Sequence, residues 1–401
     1  MKQIILIMYF GNIVILYNLL LTAVCPIFSF VDWVNLQNHS LITLPHIEID
    51  TYHNNHMYIE NHNIKNNTWS LELNKFAGFN KSYFDKNYKG YKPQYKHNRT
   101  KYQRNKYWLG PLPSELDWRN SSVVNPIKDQ AQCGSCWAFS AVGALESQVM
   151  MATGENISLS EQDMVDCVKN VMSPDGTSDC CYGCEGGEMY SVYQYLEKNQ
   201  NGQDNTEKQY PYTAMDGNCQ AVHEPSKGKY RVTGYRVLES GDEKQMEEAL
   251  YEVGPLSVGV NANEDWQLYK GGVYNPTEEQ CSSDPDAQDH GVIVVGYGFD
   301  GVDYWIIRNS WGEDWGEKGY MRLARGNNAC GVANTPIYPV LNNKPVKQNQ
   351  CLNSHPECPS EVCYTDCPCS CFVASSSSPC LCSAATCNCD KTFSQSHLYD
   401  F

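Results

Sequence analysis

A long apolar run that begins at a cysteine is the feature that most constrains how this chain folds. The run extends from Trp137 to Met151, contains no proline, includes only Gly143 as a weak helix breaker, and stops at Gly154. This pattern predicts one long, mostly buried helix with Cys136 in its first turn. At that position unpaired N–H groups and the positive end of the helix dipole lower the pKa of a thiol, so we expect a thiolate.

The cysteines around this helix start allow several interpretations. Cys133 and Cys136 form a C-x-x-C pair, which is typical of a redox dithiol, and Cys181 with Cys184 forms a second pair, so a four-cysteine zinc site is an alternative. A third interpretation is a cysteine nucleophile, which needs a histidine and an orienting amide elsewhere in the chain. The simplest alternative is a structural cysteine in a disulfide bond.

The cysteine content and the N-terminus both indicate the secretory pathway. Twenty cysteines in 401 residues are far more than an ordinary cytosolic protein carries. Residues 1–29 are mostly apolar and predict a signal peptide that ends near Cys25 to Ser29, with an uncleaved membrane anchor as the alternative. Six sequons predict N-glycosylation at Asn38, Asn66, Asn80, Asn98, Asn120 and Asn156.

Charge is distributed unevenly along the chain. The net charge of −16 argues against nucleic-acid binding. Residues 1–111 hold 12 basic and 6 acidic residues, whereas residues 112–401 hold 18 and 40. Ten of the early basic residues lie between Lys75 and Lys106, where Asp85 is the single acid. This pattern predicts either attraction between a basic leader and an acidic body or a solvated polybasic arm.

Composition divides the chain behind the signal peptide into three parts. Residues 30–111 form a basic leader that is poor in aliphatic side chains, with ordered-looking stretches at 58–63 and 69–77 and an exposed connector predicted from Lys89 to Trp108. Residues 112–341 form a body in which helical patterns precede strand patterns, which predicts an α+β fold with a site in a cleft between the halves. The part from 342 to 401 is rich in cysteine.

The C-terminal part has too few aliphatic side chains to form a core. Ten cysteines fall between Cys351 and Cys389, most of them at C-x-C spacing. Five disulfides are one interpretation, because cross-links must hold so small a segment together. A metallothionein-like cluster is the alternative, since neighbouring thiolates at this spacing share soft metals.

Candidate partners for Cys136 lie in the strand-rich half. His290 enters an apolar strand from a polar loop, and Asn309 follows another strand 19 residues later. In this arrangement Cys136 attacks a carbonyl carbon, and His290 pairs with its thiolate and later protonates the leaving amine. Asn309 accepts a hydrogen bond from the imidazole nitrogen of His290 that faces away from Cys136, and Trp311 shields that hydrogen bond from water. Gln130 and the Cys136 backbone N–H donate to the developing oxyanion.

Four short motifs in the body occur together in one order. They are Gln130 with Cys133-Gly134-Ser135-Cys136-Trp137-Ala138-Phe139-Ser140, Cys184-Glu185-Gly186-Gly187, Asp289-His290-Gly291, and Asn309-Ser310-Trp311-Gly312. In these motifs the chain resembles the papain family of cysteine proteases, nearer the cathepsin L type, over about residues 112–341. The resemblance implies a helical left domain and an antiparallel, β-barrel-like right domain with the active-site cleft between them.

The resemblance also implies a disulfide pattern. By the family pattern, Cys133–Cys184, Cys167–Cys219 and Cys281–Cys330 are disulfides. The zinc and redox interpretations then fall, because Cys133 pairs with Cys184 and not with Cys136. Cys180 and Cys181 have no partner in this pattern, and they lie in the expanded loop 169–183.

Substrate contacts are implied in the same way. Gly187, together with Gly186, pairs with the substrate backbone. Met189, Gly259, Gln288 and Thr335 line the main side-chain pocket, and Asp289 and Trp311 complete the substrate-binding set. A roomy pocket at Gly259 predicts an endopeptidase that prefers a medium or large apolar residue. The sequence shows no histidine-containing loop that would occlude one end of the cleft, so carboxypeptidase activity is not expected.

The leader resembles an inhibitory propeptide only in part. Tyr58-Ile59 with His62-Asn63 and the set Leu71, Leu73, Asn74, Phe76 and Ala77 match, but Gly78 stands where the family has Asp, and the sequence shows no clear long upstream helix. The expected partners are protein and peptide substrates, the chain's own propeptide as intramolecular inhibitor, and cystatin-type inhibitors. We expect a monomer without cofactor or metal, in the lysosome, in another acidic endolysosomal compartment, or secreted. The alternative is an inactive papain-like scaffold with a Cys-rich binding or metal-sequestering tail.

Overall fold

The structure, a computed structural model, describes residues 30, 32–35, 48–93, 111–172, 179–220, 230–342, 371–372 and 381–382. The helices in these ranges are α1 (Ile49–Asn63), α2 (Lys81–Tyr88), α3 (Cys136–Thr153), α4 (Glu161–Cys167), α5 (Met189–Asn199), α6 (Glu243–Val253) and α7 (Glu264–Leu268). The predicted signal peptide, the sequons at Asn38 and Asn98, and most of the Cys-rich tail lie outside these ranges.

The strands of the same ranges follow mainly in the second half of the chain. They are β1 (Trp69–Leu71), β2 (Leu116–Asp117), β3 (Lys169–Met172), β4 (Asp179–Tyr182), β5 (Val232–Val237), β6 (Leu256–Val260), β7 (Tyr269–Tyr274), β8 (His290–Phe299), β9 (Asp303–Arg308), β10 (Tyr320–Ala324), β11 (Ile337–Leu341), β12 (Cys371–Phe372) and β13 (Leu381–Cys382). Within the ranges described, no helix is both long and apolar enough to cross a bilayer.

Helix α3 lies at the centre of the molecule, as the apolar run predicts. Most of its residues are buried, and it ends at Gly154, whose φ of 71° gives a left-handed C-cap with an N–H bond to Met150. One side of α3 packs on α4 and α5, and the other packs on β8 and β6. Because α3 touches both halves, it places Cys136 at their junction.

Nine of the described strands form one large sheet beside this helix, while β3 pairs with β4 and β12 pairs with β13 in two-stranded sheets. The order of the large sheet is β1-β7-β10-β9-β8-β6-β11-β5, with β2 paired to β8. Neighbouring strands are antiparallel except for a short parallel pairing of β7 with β10. The described strands do not close into a barrel, because β1 and β5 stand at opposite ends of the path. The predicted separation into a helical half and a strand-rich half is confirmed.

The leader is more ordered than its sequence suggests. Helix α1 buries Tyr52, Asn55, Ile59 and His62 on one face. Two of these four side chains are polar, so apolar periodicity does not reveal the helix. Asn55 Nδ2 donates to the Ala77 carbonyl at 2.8 Å, which satisfies the buried amide. The long upstream helix that the sequence does not show is therefore present.

Leader and body share one packed interface. Strand β1 pairs antiparallel with β7 of the large sheet. Asn74 Nδ2 donates to the Gln267 carbonyl at 2.8 Å, and Gln267 Nε2 donates to the Phe76 carbonyl at 2.8 Å. Phe76 stacks edge-on against Trp311, with ring centroids 5.7 Å apart. These contacts fasten the leader to the strand-rich half beside the cleft.

Four disulfides are present in the described residues. Three of them are Cys133–Cys184, Cys167–Cys219 and Cys281–Cys330. The fourth joins the neighbours Cys180 and Cys181, which the family pattern leaves without a partner.

Candidate active site

Cys136 is the first residue of α3 and carries the free thiol among the described cysteines. Its side chain is buried, and an added Cβ on Gly291 would lie 3.0 Å from the Cys136 carbonyl oxygen, so the start of β8 touches the start of α3. Burial raises the pKa of the thiol to about 12, although backbone N–H groups, including that of Gly291, oppose this shift.

His290 begins β8 and faces Asn309, which follows the end of β9. His290 Nε2 lies 2.8 Å from Asn309 Oδ1, so this ring nitrogen carries the proton that Asn309 accepts. The other ring nitrogen, Nδ1, has no hydrogen-bond partner within the described ranges. Trp311 stacks on the imidazole with ring centroids 4.5 Å apart. Burial lowers the pKa of His290 to about 3, so the imidazole is neutral.

The prediction that the helix start lowers the thiol pKa is therefore wrong for this structure, in which the thiol is shut off from water. The prediction considered the helix dipole and unpaired N–H groups, and it left out the cost of removing charge from water. With Cys136 and His290 both fully buried, a neutral thiol and a neutral imidazole are favoured over an ion pair.

Gln130 reaches the same point from the loop before α3. Its amide Nε2 donates to the Cys133 carbonyl at 2.8 Å and to the Tyr88 carbonyl of the leader at 3.2 Å. The hydroxyl of Ser310 donates to Gln130 Oε1 at 2.7 Å and so fixes which way the amide points. The sequence predicts no role for Ser310. Its position between Asn309 and Trp311 is the feature that could have indicated that it lies in the site.

The leader crosses this site. Gly90 N–H and Tyr91 N–H both donate to the Asp289 carbonyl at 3.0 Å, on one wall of the cleft. On the other wall Gly187 N–H donates to the Gly90 carbonyl at 2.8 Å, and Lys92 N–H donates to the Gly187 carbonyl at 2.9 Å, so the two segments run parallel. Lys89, Gly90 and Tyr91 are buried here, and the exposed connector predicted from Lys89 is wrong for these residues.

Tyr91 fills a pocket beside the cleft. Its ring packs so closely on Gly259 that any Cβ at that position would overlap the ring. Gln288 Nε2 donates to the carbonyls of Gly259 and Gly331 at 2.5 and 2.9 Å, and its Oε1 accepts no hydrogen bond from the described residues. Thr335 and Met189 are buried, and Met189 starts α5 behind Gly187.

Two lysines of the leader meet acids of the body. Lys89 Nζ lies 2.9 Å from Asp289 Oδ2, and only 4% of its side chain is exposed. Lys75 Nζ lies 3.0 Å from Asp129 and 2.9 Å from Asp314. Burial raises the pKa of Asp289, against the lowering effect of Lys89.

The predicted glycosylation sites differ in accessibility. Asn66, Asn120 and Asn156 are exposed. Asn80 is half-buried, and it caps α2 through its Oδ1 while its Nδ2 donates to Glu48 Oε1 at 2.6 Å.

The free thiol, the imidazole oriented by an amide and the second amide beside the thiol are the groups that a cysteine peptidase uses, and the leader covers them. The family model described as "Papain family cysteine protease" matches residues 112–340, more than half of the chain. The chain therefore belongs to the papain family of cysteine proteases, and it is a cysteine endopeptidase of the cathepsin L-like kind.

Known proteins resemble the chain on both sides of residue 112. It is 43% identical to human Cathepsin L2 over 250 residues, 60% of this chain and 70% of that protein. It is 40% identical to Cathepsin L-like of Caenorhabditis elegans over 305 residues, 73% and 85% of the two chains. Digestive procathepsin L 3 of Tenebrio molitor matches with a TM-score of 0.66 at 35% identity, covering 79% of this chain and 99% of that one. These neighbours confirm the two-domain papain fold.

Proposed function

We propose that the chain is the zymogen of a secretory-pathway cysteine endopeptidase in which residues 30–111 are the propeptide and 112–341 the peptidase. The observation that carries this proposal is the course of the leader, which crosses the buried Cys136 at Gly90 and hydrogen-bonds to both walls of the cleft. An added Cβ on Gly90 would overlap the Gly134 carbonyl oxygen, so only glycine passes over the thiol at this depth.

The chemistry follows once the leader is removed. Water returns to the cleft, the ion pair of Cys136 and His290 is no longer penalised by full burial, and the thiolate attacks the substrate carbonyl carbon. Gln130 and the Cys136 N–H stabilise the oxyanion, and His290 protonates the leaving amine as the C–N bond breaks. Water, deprotonated by His290, then hydrolyses the thioester and regenerates the thiol. Asn309 holds the ring orientation throughout.

Titration with an epoxide thiol inhibitor tests this proposal. We expect the mature form to bind one inhibitor per molecule on Cys136 and to lose all peptidase activity, while the uncleaved chain reacts far more slowly. Absence of Cys136 labelling in the mature form would favour the inactive scaffold with a binding tail.

The pH dependence of the closed form follows from Asp289, whose pKa burial raises above the ordinary aspartate value against the lowering effect of Lys89. The form with the leader in place therefore binds this proton more tightly than an open, hydrated cleft does. The contribution of Asp289 to the closed form is present below the ordinary aspartate pKa and is lost as the pH rises through the raised pKa. We expect epoxide labelling of uncleaved Cys136, normalised to the mature form at each pH, to slow as the pH falls through the raised pKa of Asp289.

The variant Lys89→Met removes the charge that Lys89 places 2.9 Å from Asp289 of the body and 2.6 Å from Asp85 of the leader. It should label faster than the unmodified chain at neutral pH, and the difference should shrink in acid, where the ion pair with Asp289 no longer exists. A pH-independent difference would contradict the role of that ion pair.

The pocket at Gly259 should select a large side chain. Because Tyr91 rests directly on Gly259, the substitution Gly259→Leu should lower kcat/KM for peptides with tyrosine or phenylalanine in this pocket by about 10–100-fold, a few kcal/mol of lost packing. Peptides with valine there serve as the internal control and should lose much less. Equal losses for all peptides would indicate general damage to the cleft.

We also propose a lysosomal or another acidic endolysosomal location, or secretion, which the disulfides support. We further propose that cystatin-type inhibitors bind this enzyme and that it is a monomer.

A further inference from the structure

The disulfide between the neighbours Cys180 and Cys181 has no part in the chemistry proposed above. It lies at the end of the β3–β4 hairpin, and both cysteines are only 2% exposed. Cys181 has a φ of 91°, in the left-handed region that a non-glycine residue rarely adopts. Strand β4 therefore bends at Cys181, just before the segment that carries Gly186 and Gly187.

The two sulfurs contact the start of α5. The Glu188 N–H points at Cys181 Sγ at 3.5 Å, and the Ser191 hydroxyl points at Cys180 Sγ at 3.4 Å. Sulfur is a weak acceptor, so these contacts mainly show how closely the disulfide packs on this helix start. Tyr182 N–H donates to the Gly186 carbonyl at 2.8 Å and closes the loop between the disulfide and the glycines.

Gly187 is held between the disulfide and an aromatic ring. An added Cβ on Gly187 would lie 2.6 Å from the ring of Trp137 and 3.0 Å from Cys181 Sγ. On its open side the same residue exchanges backbone hydrogen bonds with the leader, at 2.8 Å to Gly90 and 2.9 Å to Lys92. The position of the Gly187 backbone thus depends on what lies behind it.

We propose that the Cys180–Cys181 disulfide is a positioning element that fixes Gly187 at the depth at which it pairs with the backbone of a bound peptide. The inference rests on the proposed function, because it assigns to substrates the backbone pairing that the leader makes. Without the two bonded sulfurs, the backbone at Cys181 and the packing behind Gly187 are no longer fixed, so loss of the bond lets the glycine segment shift. A misplaced contact of this kind weakens substrate binding without altering Cys136 itself.

The double variant Cys180→Ser/Cys181→Ser in the otherwise complete enzyme tests this role. We expect KM to rise about tenfold for peptides long enough to pair with Gly187, with kcat within about twofold. The rate at which iodoacetamide alkylates Cys136 should stay unchanged, because this small reagent does not use Gly187. The matched control is Cys167→Ser/Cys219→Ser, which removes another disulfide of the helical half and should lower the unfolding temperature with little change in KM.

Three outcomes would overturn the inference. One is a serine variant that loses stability while KM for long peptides stays unchanged, which would make the disulfide a cross-link only. Another is alkylation of Cys180 and Cys181 as free thiols in the folded protein without reductant. The third is an equal rise of KM in the control variant. If the serine variant does not fold, Cys180→Ala/Cys181→Ala, which buries no hydroxyl, replaces it with the same expected KM. Loss of Cys136 labelling in the unmodified mature enzyme would instead refute the proposed function.

Discussion

Replacing Cys136 by alanine should abolish peptide hydrolysis and leave the fold intact. The thiol is the nucleophile in the proposed mechanism, and removing a nucleophile of this kind lowers kcat by at least about 10⁴-fold. The side chain is small and makes no disulfide, so the unfolding temperature should change little. Hydrolysis rates with a peptide substrate and a thermal melt of the same preparation check both parts.

The neighbouring cysteine provides the matched comparison. Cys133→Ala breaks the disulfide to Cys184, which joins residues 51 apart in the sequence, and should cost about 2–5 kcal/mol of folding stability. Its properly folded fraction should still react with the epoxide at Cys136. Residual turnover in the Cys136→Ala variant, or normal stability without Cys133, would contradict the division of roles between these two cysteines.

The second large effect is expected at the leader glycine. Gly90→Val would drive a side chain into the Gly134 carbonyl, so the leader must lift away and lose the hydrogen bond from Gly187. We expect epoxide labelling of Cys136 in the uncleaved chain to accelerate by at least about 100-fold, since an opened cleft exposes the thiol. Rapid labelling at neutral pH, before any cleavage of the leader, is the measurement.

Lys86→Val controls for a changed leader sequence. Lys86 is exposed on α2, four residues before Gly90, and does not enter the cleft. Its labelling rate should match that of the unmodified chain. Slow labelling of Gly90→Val would show that the leader does not shield the thiol at this glycine.

The parts of the fold that could be predicted from sequence are those in which local pattern and burial agree. Helix α3 is apolar around its whole circumference, and it is buried as expected. The β-branched runs of β6 and β8 are likewise buried strands. In each case most of the side chains that enter the core are apolar, although α3 also buries Glu146 and β6 buries Ser257.

The leader shows where this reasoning fails. Helix α1 buries Asn55 and His62, whose polar groups pair with the carbonyls of Ala77 and Trp69 outside the helix, so its buried face does not appear as an apolar stripe. Likewise nothing local in Lys89 to Tyr91 indicates burial, because the walls that cover these residues come from Gly187 and Asp289. Such burial depends on tertiary contacts.

The candidate site, like the fold, can be predicted only in part from the sequence. Residue types and motifs indicate Cys136, His290 and Asn309, but not the state of the thiol. That state depends on whether the leader is in place, because the leader removes water from the cleft.

The pairing of β1 with β7 has a consequence for the mature enzyme. While the leader is bound, it supplies the outermost strand of the sheet, and Lys270 of β7 lies 4.0 Å from Glu72 of the leader. Departure of the leader turns β7 into an edge strand with unpaired backbone groups, which invites strand addition by another chain. Lys270 is then left without Glu72, and a lone charge on such an edge discourages aggregation. In the proposed mature form, Lys270 therefore opposes pairing of this edge with a second copy of the chain.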